Sequence, residues 1–372
     1  MNPKIENIKN ADDVLTFTLS GINVSLANAL RRVILSDIKT IVFKTSPYEE
    51  NKCTIISNTS RFHNEIIKQR LSCIPIHITD ITMPIDKYRL EVNVENNTDT
   101  KIYVTTEDFK IKNIDTNKYL SKNDTMGIFP PNQYSNYYID FLRLRPKISE
   151  EILGEKINLS CEFSIGTAKE DGMFNVASNC SYGFTVDIHK IADELKIKTH
   201  QLKEQGMNKN EIEFEIANWR LLDALRITKK DSYDFTLQSV GVFTNLDLIE
   251  KACDIIIERL YSIKKLSESE DLKIERSQNT MNNCFDIILD NEDYTIGKIV
   301  EFTFYHKYFE GVKTLSFCGF KKFHPHDTYS IVRVAYREPV DISTITQNIA
   351  EVITDAINVY QKIKADFVKV KK

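Results

Sequence analysis

A strand followed by an amphipathic helix occurs twice in this chain in the same register, and no other pattern limits its fold as strongly. Residues 14–21, VLTFTLSG, alternate Leu15, Phe17 and Leu19 with Thr16, Thr18 and Ser20. That period of two is a strand with one buried face. Residues 23–43, NVSLANALRRVILSDIKTIVF, place Leu26, Ala29, Leu30, Val33, Ile34 and Ile38 on one helical stripe. Ser25 is the expected N-cap, and Arg31 and Arg32 point off the stripe. Adding 270 to each number sets Leu15, Phe17 and Leu19 on Phe285, Ile287 and Leu289 without a gap. Ser25 then falls on Thr295, Leu26 on Ile296, Ala27 on Gly297, Ala29 on Ile299 and Leu30 on Val300. A long amphipathic helix closes each copy, at 245–266 with Asn245 as cap and at 343–367. Two copies do not make a solenoid. They suggest two related α+β units, each covering the apolar face of the other, as in a pseudo-dimer.

Between the copies, residues 47 to about 157 read as short strands separated by Asn, Asp, Pro and Gly turns, with one helical run at FHNEIIKQRL. This is a β-rich insert. Two helical stretches, DIHKIADELKIKTHQLKEQG and EIEFEIANWRLLDALRI, precede the strand SYDFTLQSVGVF. Trp219 is the single tryptophan, and its spacing to Leu222 and Leu225 predicts packing in the core. SESEDLKIE, residues 267–275, reads as a linker.

The 372 residues suffice for two or three domains. A net charge of −4 lacks the basic excess of a free-standing duplex-DNA binder. No apolar run approaches a membrane span, and MNPKIENIKN lacks the apolar core of a signal peptide. The seven cysteines include no CxxC pair, which argues against a local zinc cluster and for reduced thiols. Nucleotide-binding loops and hydrolase motifs are missing from the sequence. His324, His326 and Asp327 in HPHD read as a connecting turn rather than a metal site, and GTAKEDG as a turn rather than a phosphate cradle. Arg143 and Arg145 in DFLRLRP suit either a phosphate or carboxylate contact or the wet face of a strand.

NVSLANALRRVILSDIKT resembles the signature of the α-type assembly subunits of multisubunit DNA-directed RNA polymerase. That family comprises the bacterial alpha subunit, its archaeal D-like counterpart and the third-largest subunit of eukaryotic polymerase II. Asn28, Ala29, Leu30, Arg31, Arg32, Leu35 and Ser36 match its helix core. NTSRFHNEIIKQRLSCIPI is similar to the second signature through Asn64, Glu65, Arg70, Leu71, Ile74 and Pro75. VTTEDF and SIGTAKEDGMFNV resemble two further segments. The last hundred residues resemble the smaller, archaeal L-like partner through EDYTIGKIV and GFKKFHPHD.

The resemblance implies an α+β fold of two strand–helix–strands–helix dimerisation units joined as an intramolecular pseudo-dimer. The first unit takes 1–46 and 158–266, the insert 47–157, the linker 267–275 and the second unit 276–372. Leu26, Ala29, Leu30, Val33 and Ile34 are expected to pack against Ile296, Ile299, Val300 and Thr303. Arg31, Arg32 and Arg70 are expected to face the second-largest polymerase subunit. The family does no chemistry of its own: it docks the second-largest and then the largest subunit, with small subunits as further partners. The catalytic magnesium belongs to the large subunits, so no cofactor is expected here, nor direct nucleic-acid or membrane binding. Two departures stand out. The cysteine cluster of many archaeal and eukaryotic relatives is missing, so no metal is expected, and the two partners are fused. Fusion is a feature of the polymerases of large cytoplasmic DNA viruses, which implies host cytoplasm and virion. Outside a virus, the place would be the transcribing compartment. The rival readings are a nucleic-acid binder using Arg143, Arg145 and the terminal KADFVKVKK, and a stand-alone enzyme.

Overall fold

The computed structural model describes residues 1–149, 151–278 and 281–371. In chain order its elements are β1 (Lys4–Ala11), β2 (Val14–Ser20), α1 (Val24–Ser36), β3 (Thr40–Val42), β4 (Cys53–Asn58), α2 (Asn64–Ser72), β5 (Tyr88–Glu95) and β6 (Ile102–Thr105). Next come β7 (Lys110–Asn113), β8 (Lys118–Tyr119), α3 (Lys122–Ile128), β9 (Asp140–Leu144), β10 (Lys156–Glu162), β11 (Ser164–Gly166) and β12 (Ala177–Val186). Then follow α4 (Ile188–Glu204), α5 (Lys209–Leu221), β13 (Thr228–Ser239), α6 (Asn245–Glu268), β14 (Ile274–Arg276) and β15 (Cys284–Asp290). The chain closes with α7 (Tyr294–Phe304), β16 (Leu315–Lys321), β17 (Tyr329–Tyr336) and α8 (Ile342–Lys371). The fold is mixed α/β. It divides into two compact units, Met1–Val33 with Asn179–Gln238 and Ile249–Lys372, and Ile34–Ser178 with Ser239–Leu248.

Among the described residues the first unit builds two four-stranded sheets, ordered β1-β2-β13-β12 and β14-β15-β17-β16. Each arises from the same succession of two strands, a helix, two strands and a long helix. The offset of 270 holds for the elements: β2 and β15 span 14–20 and 284–290, and α1 and α7 begin at 24 and 294. In both sheets the second and fourth strands pair antiparallel in the centre, with Phe17 opposite Phe235 and Ile287 opposite Val332. The alternation read from the sequence is the cause. Leu15, Phe17 and Leu19 are buried, as are Ile287 and Leu289, while Phe285 is half-buried; of the intervening residues Thr18 is also buried, its hydroxyl donating to Asp234.

The caps differ from expectation. The N-cap of α1 is Asn23, whose Oδ1 accepts the Ser25 N–H at 2.9 Å, so Ser25 is inside the first turn. Asp293, which the offset pairs with Asn23, caps α7 by accepting the Thr295 N–H at 2.8 Å. For α6 the cap is Thr244 rather than Asn245: Thr244 Oγ1 accepts from Asp247 N–H, and Asp247 Oδ2 accepts from Thr244 N–H. Asn245 instead accepts the Ser239 N–H through its side chain. The stretch 267–275 holds the end of α6 and the start of β14, so the connection shrinks to 269–273. A π-helical segment, Tyr305–Gly311, continues α7.

Core packing of Trp219 is also overturned. Trp219 is half-buried on α5, and Leu222 and Leu225 are 66% and 56% exposed. The helical spacing holds, but α4 and α5 pack chiefly on each other, and two helices alone cannot enclose an indole.

The second unit holds a sheet ordered β4-β10-β5-β7-β8 and the pairs β11-β3 and β6-β9. One cluster forms its core. It joins Phe43, Phe109, Phe129 and Phe141 to Ile67 and Leu71 of α2 and to Leu90, Val92, Ile157 and Leu159 of the central strands. On β9, Arg143 is exposed, while just beyond the strand Arg145 donates to Glu155, whose side chain is 7% exposed.

Candidate interface

The site lies in the first unit, where the β14–α8 half meets the β1–α6 half. Leu26, Ala29, Leu30 and Val33 of α1 are each at most 2% exposed, and so are Ile296, Ile299, Val300 and Thr303 of α7. Ile34 is equally buried but falls in the second unit, so the stripe within the first unit ends at Val33. Thr303 tolerates burial because its hydroxyl donates to the Ile299 carbonyl one turn back, at 2.7 Å.

Polar side chains tie the halves together at fixed points. Arg32 Nε donates to Thr295 Oγ1 at 2.9 Å, and Nη2 donates to Asp293 Oδ2 at 3.4 Å. The guanidinium of α1 thus closes over the capped start of α7. Tyr360 of α8 is fully buried and donates its hydroxyl to the Leu26 carbonyl of α1 at 2.9 Å. Burial, then the nearby Cys253, holds this phenol well above its ordinary range, so it remains a neutral donor. Arg259 of α6 forms a two-pronged pair with Glu292, the residue before the α7 cap, with side chains 19% and 12% exposed. Lys364 of α8 bonds both oxygens of Asp254 on α6 at 2.7 Å. Burial alone would lower that ammonium, but Asp254 and Glu250 leave it raised. Ser267 Oγ donates to the Thr346 carbonyl at 2.9 Å, and Phe367 meets Phe17 edge-on, with centroids 4.9 Å apart.

The three arginines expected to dock a partner have different surroundings. Arg32 is held as described. Arg31 is half-buried and donates to Asn28 on its own helix at 2.8 Å. Burial pushes the neighbouring Cys180 thiol up to about 12, with Arg31 opposing the rise. Arg70 donates to the carbonyls of Phe141 and Asp140, at 2.6 and 2.8 Å, and lies over Phe62. His324, His326 and Asp327 form a turn closed by His324 N–H on Asp327 and His326 N–H on His324. Sequence reasoning missed Tyr360, Arg259, Glu292 and Lys364. Only Asp293 left a signal, because the offset of 270 aligns it with Asn23.

Residues 16–260 match the model of the RNA polymerase Rpb3/Rpb11 dimerisation domain. The chain belongs to the RNA polymerase Rpb3/Rpb11 dimerisation-domain family. Similar proteins include the DNA-directed RNA polymerase subunit Rpo3 of Pyrococcus horikoshii, 35% identical over 88 residues that cover 24% of this chain and 29% of that one. The DNA-directed RNA polymerases I and III subunit rpac1 of Dictyostelium discoideum is 36% identical over 77 residues, covering 21% and 20%. A conjugation stage-specific protein of Tetrahymena thermophila is 26% identical over 201 residues, covering 48% and 57%. The chain thus spans under a third of the length of the Rpo3 and rpac1 relatives. The Rpb3/Rpb11 match takes in α1 and most of α6 and ends before β14.

Proposed function

We propose that this chain is a non-catalytic assembly subunit of a DNA-directed RNA polymerase, with both members of the Rpb3/Rpb11-type dimer fused in one polypeptide. One observation carries the reading: the half outside the family match repeats the strand order, helix order and N-cap of the half within it. The buried stripes of α1 and α7, the Arg32 bonds to Asp293 and Thr295, and the Tyr360 bond to Leu26 support an intramolecular pseudo-dimer. In this reading 1–46 and 158–266 form the first partner, 276–372 the second, and 47–157 an insert. Fusion replaces a bimolecular association with closure at high effective concentration and fixes a one-to-one ratio. Arg32 serves the internal interface, while Arg31 on the first unit and Arg70 on the second each remain to contact the second-largest subunit. The largest subunit joins next and brings the magnesium site. Such a fusion fits the polymerases of large cytoplasmic DNA viruses, which act in host cytoplasm and virion.

Co-expression of the tagged chain with its organism's two largest polymerase subunits tests this. A stable one-to-one-to-one complex is expected, with Arg31→Ala reducing the yield of the second-largest subunit and leaving the chain's own melting unchanged. Elution of the tagged chain without either large subunit would sink the reading.

A further inference from the structure

The connection between the third and fourth strands of each sheet differs sharply. The second sheet passes from β16 to β17 through residues 322–328, whereas the first sheet carries residues 187–227 between β12 and β13. Since the second sheet closes without it, the α4–α5 hairpin is an addition to the sheet rather than a requirement of it. Its helices are well started. Asp187 accepts the Lys190 N–H, and Asn208 and Glu211 form a reciprocal capping box. The burial pattern marks the face the helices share: Ile191, Leu195 and Leu202 on α4, and Ile212, Ile216 and Trp219 on α5.

A second apolar stripe on α5 lies away from that face. Phe214, Ala217 and Leu221 follow at three- and four-residue spacing, and Leu225 extends the line into the turn Ala224–Arg226. Phe214 is 64% exposed, Leu221 71% and Leu225 56%. A helix that packs on one face has no structural need of a second apolar stripe. Exposed apolar side chains gathered on one face mark a binding surface. Glu211, Glu213 and Glu215 surround Phe214 at the start of this stripe, with Lys209 4.0 Å from Glu213 as the neighbouring cation.

We infer that the outer face of α5 is a docking surface for a basic amphipathic helix of another protein. Its apolar residues would lie along Phe214, Ala217 and Leu221, and its flanking lysines or arginines would meet Glu213 and Glu215. Charge selects this occupant. A second copy of the chain would offer Arg220 against three carboxylates, and an anionic lipid surface would be repelled by them. The recognition mode is a helix laid along an apolar stripe.

Binding is read from the fluorescence anisotropy of an end-labelled peptide, because Trp219, the single tryptophan, stands on the face of α5 turned to α4. The full chain is titrated with three synthetic peptides of equal length: leucines at three–four spacing flanked by lysines, the same stripe flanked by glutamates, and a scramble of the lysine peptide. The lysine-flanked peptide is expected to bind at least about tenfold more tightly than the other two. Phe214→Ser/Leu221→Ser, both at exposed positions, should abolish this binding with unchanged melting. Glu213→Gln/Glu215→Gln should weaken it about threefold or more. Equal binding of the scramble, or undiminished binding by the serine variant, overturns the proposal. So does concentration-dependent dimerisation that the serine variant abolishes, because the occupant would then be a second copy.

Discussion

Arg259 and Glu292 show what a single contact contributes to this interface. Their carboxylate–guanidinium pair is two-pronged and mostly removed from water, where breaking one partner leaves the other charged and unsolvated. Arg259→Ala should therefore destabilise the first unit by about 3 kcal/mol. The volume-conserving pair Arg259→Met/Glu292→Leu should be nearly neutral, because it removes both desolvation costs together. Denaturant unfolding of the full chain measures both, and a neutral Arg259→Ala would show that the pair does not hold the halves. At this scale the sequence is least legible. Neither member stands in a motif, and an ion pair between residues 33 positions apart leaves no local pattern. The caps escape sequence reading for a related reason. Asn23 and Asp293 compete with Ser25 and Thr295 for the same role, and backbone geometry decides between a hydroxyl and the carboxamide or carboxylate two residues before it.

Elements are more legible, because burial enforces periodicity. The offset read between residues 14–30 and 284–300 reappears in the strand and helix boundaries, since both copies must present the same faces to a sheet and a core. One difference within the repeat is instructive. Where the first copy has Ala27, the second has Gly297, and a Cβ built there would come within 1.9 Å of the Phe320 ring. That ring also meets Tyr294 with centroids 5.0 Å apart, so it cannot swing aside without losing a contact. Gly297→Ala would gain about 1 kcal/mol of helix propensity against about 1–3 kcal/mol of overpacking. Net destabilisation is expected, and Phe320→Leu in the same chain should relieve it. A stabilised Gly297→Ala in thermal unfolding would show that the ring yields. The elements that escape reading are those whose pattern fits two outcomes. The apolar stripe of α5 has helical period whether it meets a core or solvent. Strand β1, Lys4–Ala11, is almost wholly exposed and carries no alternation to detect.

For the whole molecule, the decisive question is whether the two halves of the first unit are one domain or two partners on a tether. Their sheets repeat one topology, and each contributes buried side chains and hydrogen bonds between the halves at the meeting helices. A domain that merely happens to contain two sheets would need covalent continuity to fold. A pseudo-dimer would not, because each half carries its own complete strand and helix set. Cutting the chain in the turn after α6, as fragments 1–270 and 271–372 expressed together, separates the cases. Two partners should copurify as a one-to-one complex. Its melting midpoint should then rise with concentration, as mass action requires of a dissociable pair, while that of the intact chain should not. The difference at working micromolar concentrations reflects the lost tether, whose effective concentration is on the order of millimolar for a short connection. Arg32→Ala should weaken fragment association, since its bonds to Asp293 and Thr295 cross the cut. Fragments that elute apart, with 271–372 folded and monomeric alone, would exclude the pseudo-dimer. Fragments that aggregate together would place the halves in one indivisible domain.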